Sequence, residues 1–447
     1  MSTSPLDLAS DLVNRARKKG ADAADAVYIG STSLGVGVRN GTTEELERSE
    51  TTDLGLRVFR GKRSAIVSTS TLDHNGFDAL VDQALAMAQV LPEDSHVGLP
   101  DGVPLIGHSE TNSLDLVDAA EPDAATLLER ARTAENMAKS VEGITNSGGA
   151  HATWGRSTVA LASSSDVAGC YSRTNHSVSM SALAGHGTGM QRDYDYHSTV
   201  WLSDLDAPET IGASAARKAV ARLNPVRPRT GTFPVIFDPR IASSFLGYLS
   251  SAISGASVAR GTSFLKARMG ESVFPTGVTV TDDPSRLRGL RSRPFDAEGV
   301  AGQKLDLIQN GILQSWLLDS RSARQLGMQT NGRATRGPSS PPTPAITNLF
   351  FQAGTASPAE LMSDISEGLY ITEMMGSAVN MLTGDYSRGA SGFMIRNGQI
   401  AEPIAEFTVA GNLSDMFGRL QLANDLVFRF GVNAPTVRID ALSIAGN

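Results

Sequence analysis

Seven histidines and one cysteine are the groups in this chain best suited to metal or nucleophile chemistry, and all of them lie between His74 and His197. From residue 198 to Asn447 there is neither. Protein-bound zinc is held mainly by His, Cys and carboxylates, so any zinc reading of that half has to name other ligands. Asp193, Asp195 and His197 recur at period two and would share one face of a strand, with Tyr194 and Tyr196 on the other. Three such donors are the material of a metal site; ordinary solvation of that face is the plainer expectation. Ser263 and Lys266 have the S-x-x-K spacing of serine acylases, where one helical turn brings the amine to the hydroxyl. The K-T-G-like strand those enzymes need is missing, and an ordinary helix surface is expected instead. Cys170 and His176 stand in one alternating run, which gives no reason for their side chains to meet. The stretch Gly185-His186-Gly187-Thr188-Gly189 looks like a phosphate loop but opens no helix, so a hairpin turn is expected. Neither G-x-S-x-G, a Walker loop nor H-E-x-x-H occurs.

The elements that must position these residues are legible in outline. A 447-residue chain with 40% hydrophobic and 19% charged residues has enough apolar material for more than one core, and it is not of disordered composition. The net charge of -8, without a basic stripe, argues against nucleic acid as a partner. One cysteine rules out an intramolecular disulfide. No run of about 18 apolar residues and no signal-peptide pattern is visible, so a cytoplasmic protein with no membrane partner is expected.

Ser4 and Pro5 open a helix whose Leu6, Ala9, Leu12, Val13 and Ala16 share a face. Alternation at Leu34, Val36, Val38 and at Leu54, Leu56, Val58, around Asn40-Gly41, predicts a hairpin. Further strands are expected over 65–70 and 150–202, with helices over 77–90, 122–141 and 208–223. Helix–meander–helix thus occurs twice. The proline-rich 224–234 marks a boundary. Beyond it, Asp238-Pro239 opens a helix lined by Ile241, Ala242, Phe245, Leu246, Leu249, Ala252 and Ile253, followed mostly by strands with hairpins at Asn310-Gly311 and Asn397-Gly398. The Pro/Ser-rich 333–345 reads as a mobile loop. The fold class is α+β, with domains at 1–114, 115–225 and 226–447, the last strand-rich with a barrel-like or strongly curved sheet.

Three blocks carry a resemblance. GVGVRNGTTEELERSETTDLGLRVFRGKRSAIVSTSTLD (35–73), GTFPVIFDPRIASSFLGYL (231–249) and GDYSRGASGFMIRNGQIAEPIAEFTVAGNL (384–413) are similar, in type and order, to the TldD/PmbA family, whose members are also called modulators of DNA gyrase. In TldD-type chains the helix opening the C-terminal domain carries H-E-x-x-x-H, and a later Cys completes a zinc site. Here that motif would fall on Phe245-Leu246-Gly247-Tyr248-Leu249-Ser250, and no Cys follows. This departure resembles the PmbA, or TldE, branch. The resemblance implies a subunit of a TldD–PmbA metallopeptidase cleaving unfolded or short peptides. It implies no catalytic or metal residue and no cofactor in this chain, zinc on the TldD-type partner, and a homodimer when that partner is missing. Gly384, Asp385, Tyr386 and Ser387 are then expected to border the substrate channel. The alternatives are a self-contained hydrolase using Ser263/Lys266 or Asp193/His197, and a peptide-binding scaffold without a role in cleavage.

Overall fold

The computed structural model describes residues 4–110 and 113–447. Its first helix, Pro5–Lys18, starts as its sequence demands: Ser4 Oγ accepts from Asp7 N at 3.1 Å, while the Asp7 carboxylate accepts from Ser4 N at 3.3 Å. The hairpin Ala23–Arg39/Thr42–Arg60 turns at Asn40 and Gly41, both with positive φ, as a type I′ turn requires. The strand Arg63–Thr69 and the helix His74–Val90 follow. The second helix–meander–helix stretch comprises Ala124–Ser140, the strands Ile144–Ser163, Val167–Ala184 and Gln191–Thr199, and the helix Pro208–Ala221.

Both stretches build one sheet. Ala23–Arg39 pairs antiparallel with Ile144–Ser163 from Asp25↔Ser163 to Val38↔Ala150, and Gln191–Thr199 pairs, among the described strands, with Val167–Ala184 alone, which makes it an edge. The helices cover one face. Leu54, Leu56 and Val58 pack with Leu8, Leu12, Phe77 and Val81, and Trp154, Val178 and Met180 pack with Leu127, Ala131, Ile211 and Ala215. The helices Ala124–Ser140 and Pro208–Ala221 approach so closely that a Cβ on Gly212 would sit 2.1 Å from the Ala134 carbonyl oxygen, which only glycine allows.

On the opposite face of this sheet Val27, Leu161 and Val167 pack with Phe295, so that face is covered in part by the C-terminal part. There, the strands Gly231–Phe237, Glu367–Val379, Asp385–Arg396, Gln399–Asn412 and Val437–Ala445 close into a five-stranded barrel. A second sheet of five short strands is built around Val280–Asp282 and Leu349–Phe351. The helix Pro239–Ala252 contacts both sheets, and Ala242, Phe245, Leu246, Leu249 and Ala252 enter the largest core. Asn310-Gly311 and Asn397-Gly398 repeat the positive-φ pairs of Asn40-Gly41.

The loop 333–345 is anchored, contrary to the expectation of mobility. Arg333 is fully buried, with Nε 2.5 Å from Asp282 Oδ2, and Arg336 Nη1 donates to Asp25 Oδ1 at 2.6 Å. Gly55 makes the docking possible, since a Cβ there would lie 1.9 Å from the Pro338 carbonyl oxygen. Asp25 stands opposite Arg57 in the hairpin register and binds its guanidinium as well. Burial alone would raise the Asp25 pKa, but Arg336 and Arg57 outweigh it and hold the carboxylate below its usual range. Removing the charge from Asp25 leaves two buried guanidinium groups short of a counter-ion. Asp25→Asn is therefore expected to cost about 3–5 kcal/mol in urea-induced unfolding; a loss below about 1 kcal/mol would show that the trio contributes little.

Candidate functional site

The helix Pro239–Ala252 begins at Asp238, whose Oδ1 accepts from Arg240 N at 3.0 Å. Its inward residues at the expected motif position are core, not ligands. Phe245 meets Phe237 edge-on, with centroids 4.9 Å apart, and Leu246 and Leu249 are fully buried. Ser250 Oγ is committed to the Gly247 carbonyl at 2.8 Å. A zinc ion needs nitrogen, sulfur or carboxylate donors, and this wall presents hydrocarbon, so the residues here do not fit the ion.

Across from the helix, the strand Asp385–Arg396 brings up Tyr386 and Arg388. Tyr386 is 2% exposed, lies 5.9 Å ring to ring from Tyr248, and has a buried hydroxyl that finds no hydrogen-bond partner among the described residues. Arg388 Nη1 donates to Tyr248 Oη at 2.8 Å. The four turn residues thus diverge. Gly384 is buried with φ +83°, Tyr386 points into the core, and Asp385 and Ser387 are exposed. Asn412 ties the turn down through Nδ2, which donates to the Thr383 carbonyl at 3.0 Å and to Asp385 Oδ1 at 3.3 Å. Sequence reading missed the Tyr248–Arg388 pair, because the two positions lie 140 residues apart.

The other candidate constellations are dispersed. Ser263 and Lys266 lie in a turn, not a helix. Ser263 Oγ donates to the Ala252 carbonyl at 2.6 Å, while Lys266 Nζ reaches the Gly261 carbonyl at 3.2 Å. The serine–lysine nucleophile is therefore not assembled. Cys170 and His176 are six residues apart on one strand, roughly 20 Å along it. His176 is fully buried, with Nε2 3.2 Å from Asp118 Oδ2. Gly187–Gly189 is a single 3₁₀ turn joining two strands.

Asp193, Asp195 and His197 do share a face, but each is engaged by a different partner. Asp193 is 3% exposed and binds Arg240 at 2.9 Å and Arg222 at 3.5 Å. Asp195 binds Lys218 at 2.9 Å. His197 Nδ1 accepts from Asp206 N at 3.1 Å, and burial, with Arg429 nearby, lowers its pKa. Among the described residues, no group of three or more His, Cys, Asp and Glu is arranged to hold a metal ion. The face is neither a ligand set nor solvated: its two carboxylates are ion-paired and its imidazole accepts a backbone hydrogen bond.

A cavity of about 420 Å³ opens on the seam between the N-terminal sheet and the C-terminal part. Arg57, Glu298 and Asp319 lie along it together with Pro92, Pro341 and Pro342. Glu298 is 3% exposed; Oε2 accepts from Ser320 N at 2.8 Å and Oε1 lies 3.8 Å from Arg57 Nη2. Burial pushes its pKa up to about 7; Arg57 opposes the rise and Asp296 adds to it. The folded protein thus holds this proton more tightly than the unfolded chain. Stability is lost as pH rises from the ordinary carboxylate range to about 7, and stays lost above it. Glu298→Gln, measured against the native chain by urea unfolding at pH 5 and pH 8, is expected to gain stability at pH 8 relative to pH 5. An equal difference at both pH values would remove the assignment.

Comparison with known proteins is consistent across sequence and fold. Family models described as PmbA/TldA metallopeptidase domain 1, central domain and C-terminal domain match residues 24–88, 118–223 and 230–446. The metalloprotease PmbA of Escherichia coli O157:H7 is 34% identical over 428 residues, covering 95% of this chain and 93% of that one. A PmbA homolog of Haemophilus influenzae is also 34% identical, over 97% and 94% of the two chains. Among solved structures, a Bacteroides thetaiotaomicron protein carrying the designation modulator of DNA gyrase has a TM-score of 0.90 at 23% identity, over 98% of each chain. TldE of Thermococcus kodakarensis has a TM-score of 0.87 at 20% identity, over 98% of this chain and 99% of that one. At these identities the two structures speak for the fold, and the sequence matches speak for descent: this chain belongs to the PmbA/TldD metallopeptidase family.

Proposed function

We propose that this chain is the PmbA-type subunit of a cytoplasmic two-chain peptidase, paired with a TldD-type subunit that carries the zinc and cleaving unfolded or short peptides. One observation carries the reading. The helix on which TldD-type chains place H-E-x-x-x-H here presents Phe245, Leu246 and Leu249 to the core, and neither His nor Cys occurs after residue 197. In this reading the partner's zinc activates water for attack on the peptide carbonyl. This chain contributes the interface, completes the chamber and helps hold the peptide. An extended peptide is held through backbone hydrogen bonds at a sheet edge and needs few special side chains. Asp385 and Ser387, exposed at the start of a barrel strand, border that channel, and Gly384 and Tyr386 shape it from behind.

Mixing tests the reading. The purified chain alone is expected to bind well under one zinc per molecule and to leave a short unstructured peptide uncut; adding a TldD-type partner is expected to start cleavage. Stoichiometric zinc with cleavage by the isolated chain would overturn the assignment. A partner rate that does not change on mixing would favour a scaffold. Ser263→Ala is expected to leave the mixture's rate unchanged, since its hydroxyl is engaged by the Ala252 carbonyl and Leu265 N and holds no catalytic partner.

The channel assignment has its own test. Asp385→Ala and Ser387→Ala should raise the mixture's KM by about threefold or more while kcat holds, because they touch substrate without reaching the reacting atoms. Unchanged KM in both would remove these residues from the channel.

A further inference from the structure

Two cavities of about 270 and about 310 Å³ lie end to end where the strand Gln191–Thr199 meets the C-terminal part, sharing Ser198, Leu290 and Phe430. Five arginines line them: Arg240, Arg286, Arg288, Arg291 and Arg429. Three are neutralised, Arg240 by Asp193 at 2.9 Å, Arg288 by Asp115 at 2.6 Å and Arg429 by Asp206 at 2.5 Å. Among the described residues, Arg286 and Arg291 form no ion pair. Arg286 lies over Phe428, 3.4 Å from its ring centroid. The nearby carboxylate, Asp283, is occupied by Ser285 N and Oγ at 2.8 and 2.6 Å. Arg291 runs across Gly431, where a Cβ would stand 2.5 Å from its Nε.

Arg288 also meets Asp204 at 3.2 Å, so the paired arginines carry no excess charge; the positive charge left over is that of Arg286 and Arg291, on a chain of net charge -8. Beside it are exposed apolar side chains: Leu287 at 70%, Val427 at 68% and Phe428 at 41%. Planar guanidinium groups without counter-ions match a carboxylate, and the apolar rim matches a hydrocarbon side chain next to it. The groove runs between the strands Gln191–Thr199 and Val432–Asn433, and its elongated shape suits an extended backbone.

We infer that this groove binds an extended acidic peptide segment, with a carboxylate on Arg286 and Arg291 and an apolar side chain against Phe428 and Leu287. Choosing a peptide over other anions rests on the peptidase reading above.

The test is fluorescence anisotropy on the full chain with a labelled peptide of about eight residues carrying Glu beside Leu, against copies with Gln for Glu and with Gly for Leu. The Glu-Leu peptide is expected to bind at least about tenfold more tightly than the Gln copy, and the preference to weaken with salt. Arg291→Gln, at an exposed position, and Arg286→Gln should each abolish the preference. Arg286→Lys should retain part of it, and Arg48→Gln, on a remote exposed strand, should leave it intact. Equal binding of the Glu and Gln peptides, or a preference that survives in the Arg286→Gln/Arg291→Gln double variant, would overturn the inference. Equal binding of the Leu and Gly copies, with displacement by millimolar inorganic phosphate, would reduce the groove to a simple anion site and also overturn it. Loss of the peptide preference alongside intact activation of a TldD-type partner would sink this inference alone; failure of activation with the preference intact would sink only the peptidase reading.

Discussion

The strand Gln191–Thr199 has a hydrogen-bonded neighbour on one side only, and an open edge of this kind invites pairing with foreign strands. Here the C-terminal part closes it. Arg240 donates to the Tyr194 carbonyl at 3.3 Å, and Arg429 donates to the Tyr196 carbonyl at 3.2 and 3.1 Å. The same two arginines reach the Asp193 and Asp206 carboxylates. Arg240 also stands in the first turn of the helix Pro239–Ala252, so closing the edge fixes where that helix starts. The barrel and the second sheet both pack on that helix.

A second constraint acts at the other side of the sheet. Asp25, Gly55 and Arg57 occupy the face opposite the helices, and a single loop reaches them through Arg336 and Pro338. Buried ion pairs seldom stabilise more than an apolar substitute would, because desolvation offsets most of the attraction. Their value here lies in fixing register. The guanidinium of Arg336 finds a carboxylate in only one docking geometry, and Gly55 leaves room for the loop in that same geometry. Glu298, whose pKa burial raises to about 7, sits beside this contact and shares its cavity.

Periodicity and turn chemistry made much of this architecture readable. Three Asn-Gly pairs marked three hairpins, and the apolar stripes of the helices named their buried faces. The polar half of each alternating strand was not readable. Leu54, Leu56 and Val58 look the same whether Gly55 and Arg57 face water or another domain, and the difference depends on residues near position 336. The same limit applies to Asp193, Asp195 and His197. Their spacing is that of a ligand set or a solvated strand, and only Arg240, Lys218 and Asp206, brought in from elsewhere, decide that they form separate pairs. The loop 333–345 read as mobile because its composition is that of a linker, and composition carries no information about its buried arginines. At the candidate site, the hydrocarbon character of the helix at Phe245 was plain in the sequence. The Tyr248–Arg388 contact beside it depended on barrel closure.

The contact between Arg336 and Asp25 joins positions 311 residues apart. A ribosome adding about 5–20 residues per second needs roughly 15–60 seconds to span that interval. During that time the first hairpin is complete in sequence, yet Arg57 and Asp25 have no loop above them and the edge at Gln191–Thr199 lacks Arg429. A nascent chain therefore carries its charged sheet face uncovered until three-quarters of it has been made, and the strand edge stays without Arg429 until nearly all of it has. The seal of an N-terminal sheet thus lies near the other end of the polypeptide, and the sheet cannot be fully covered before most of the chain exists.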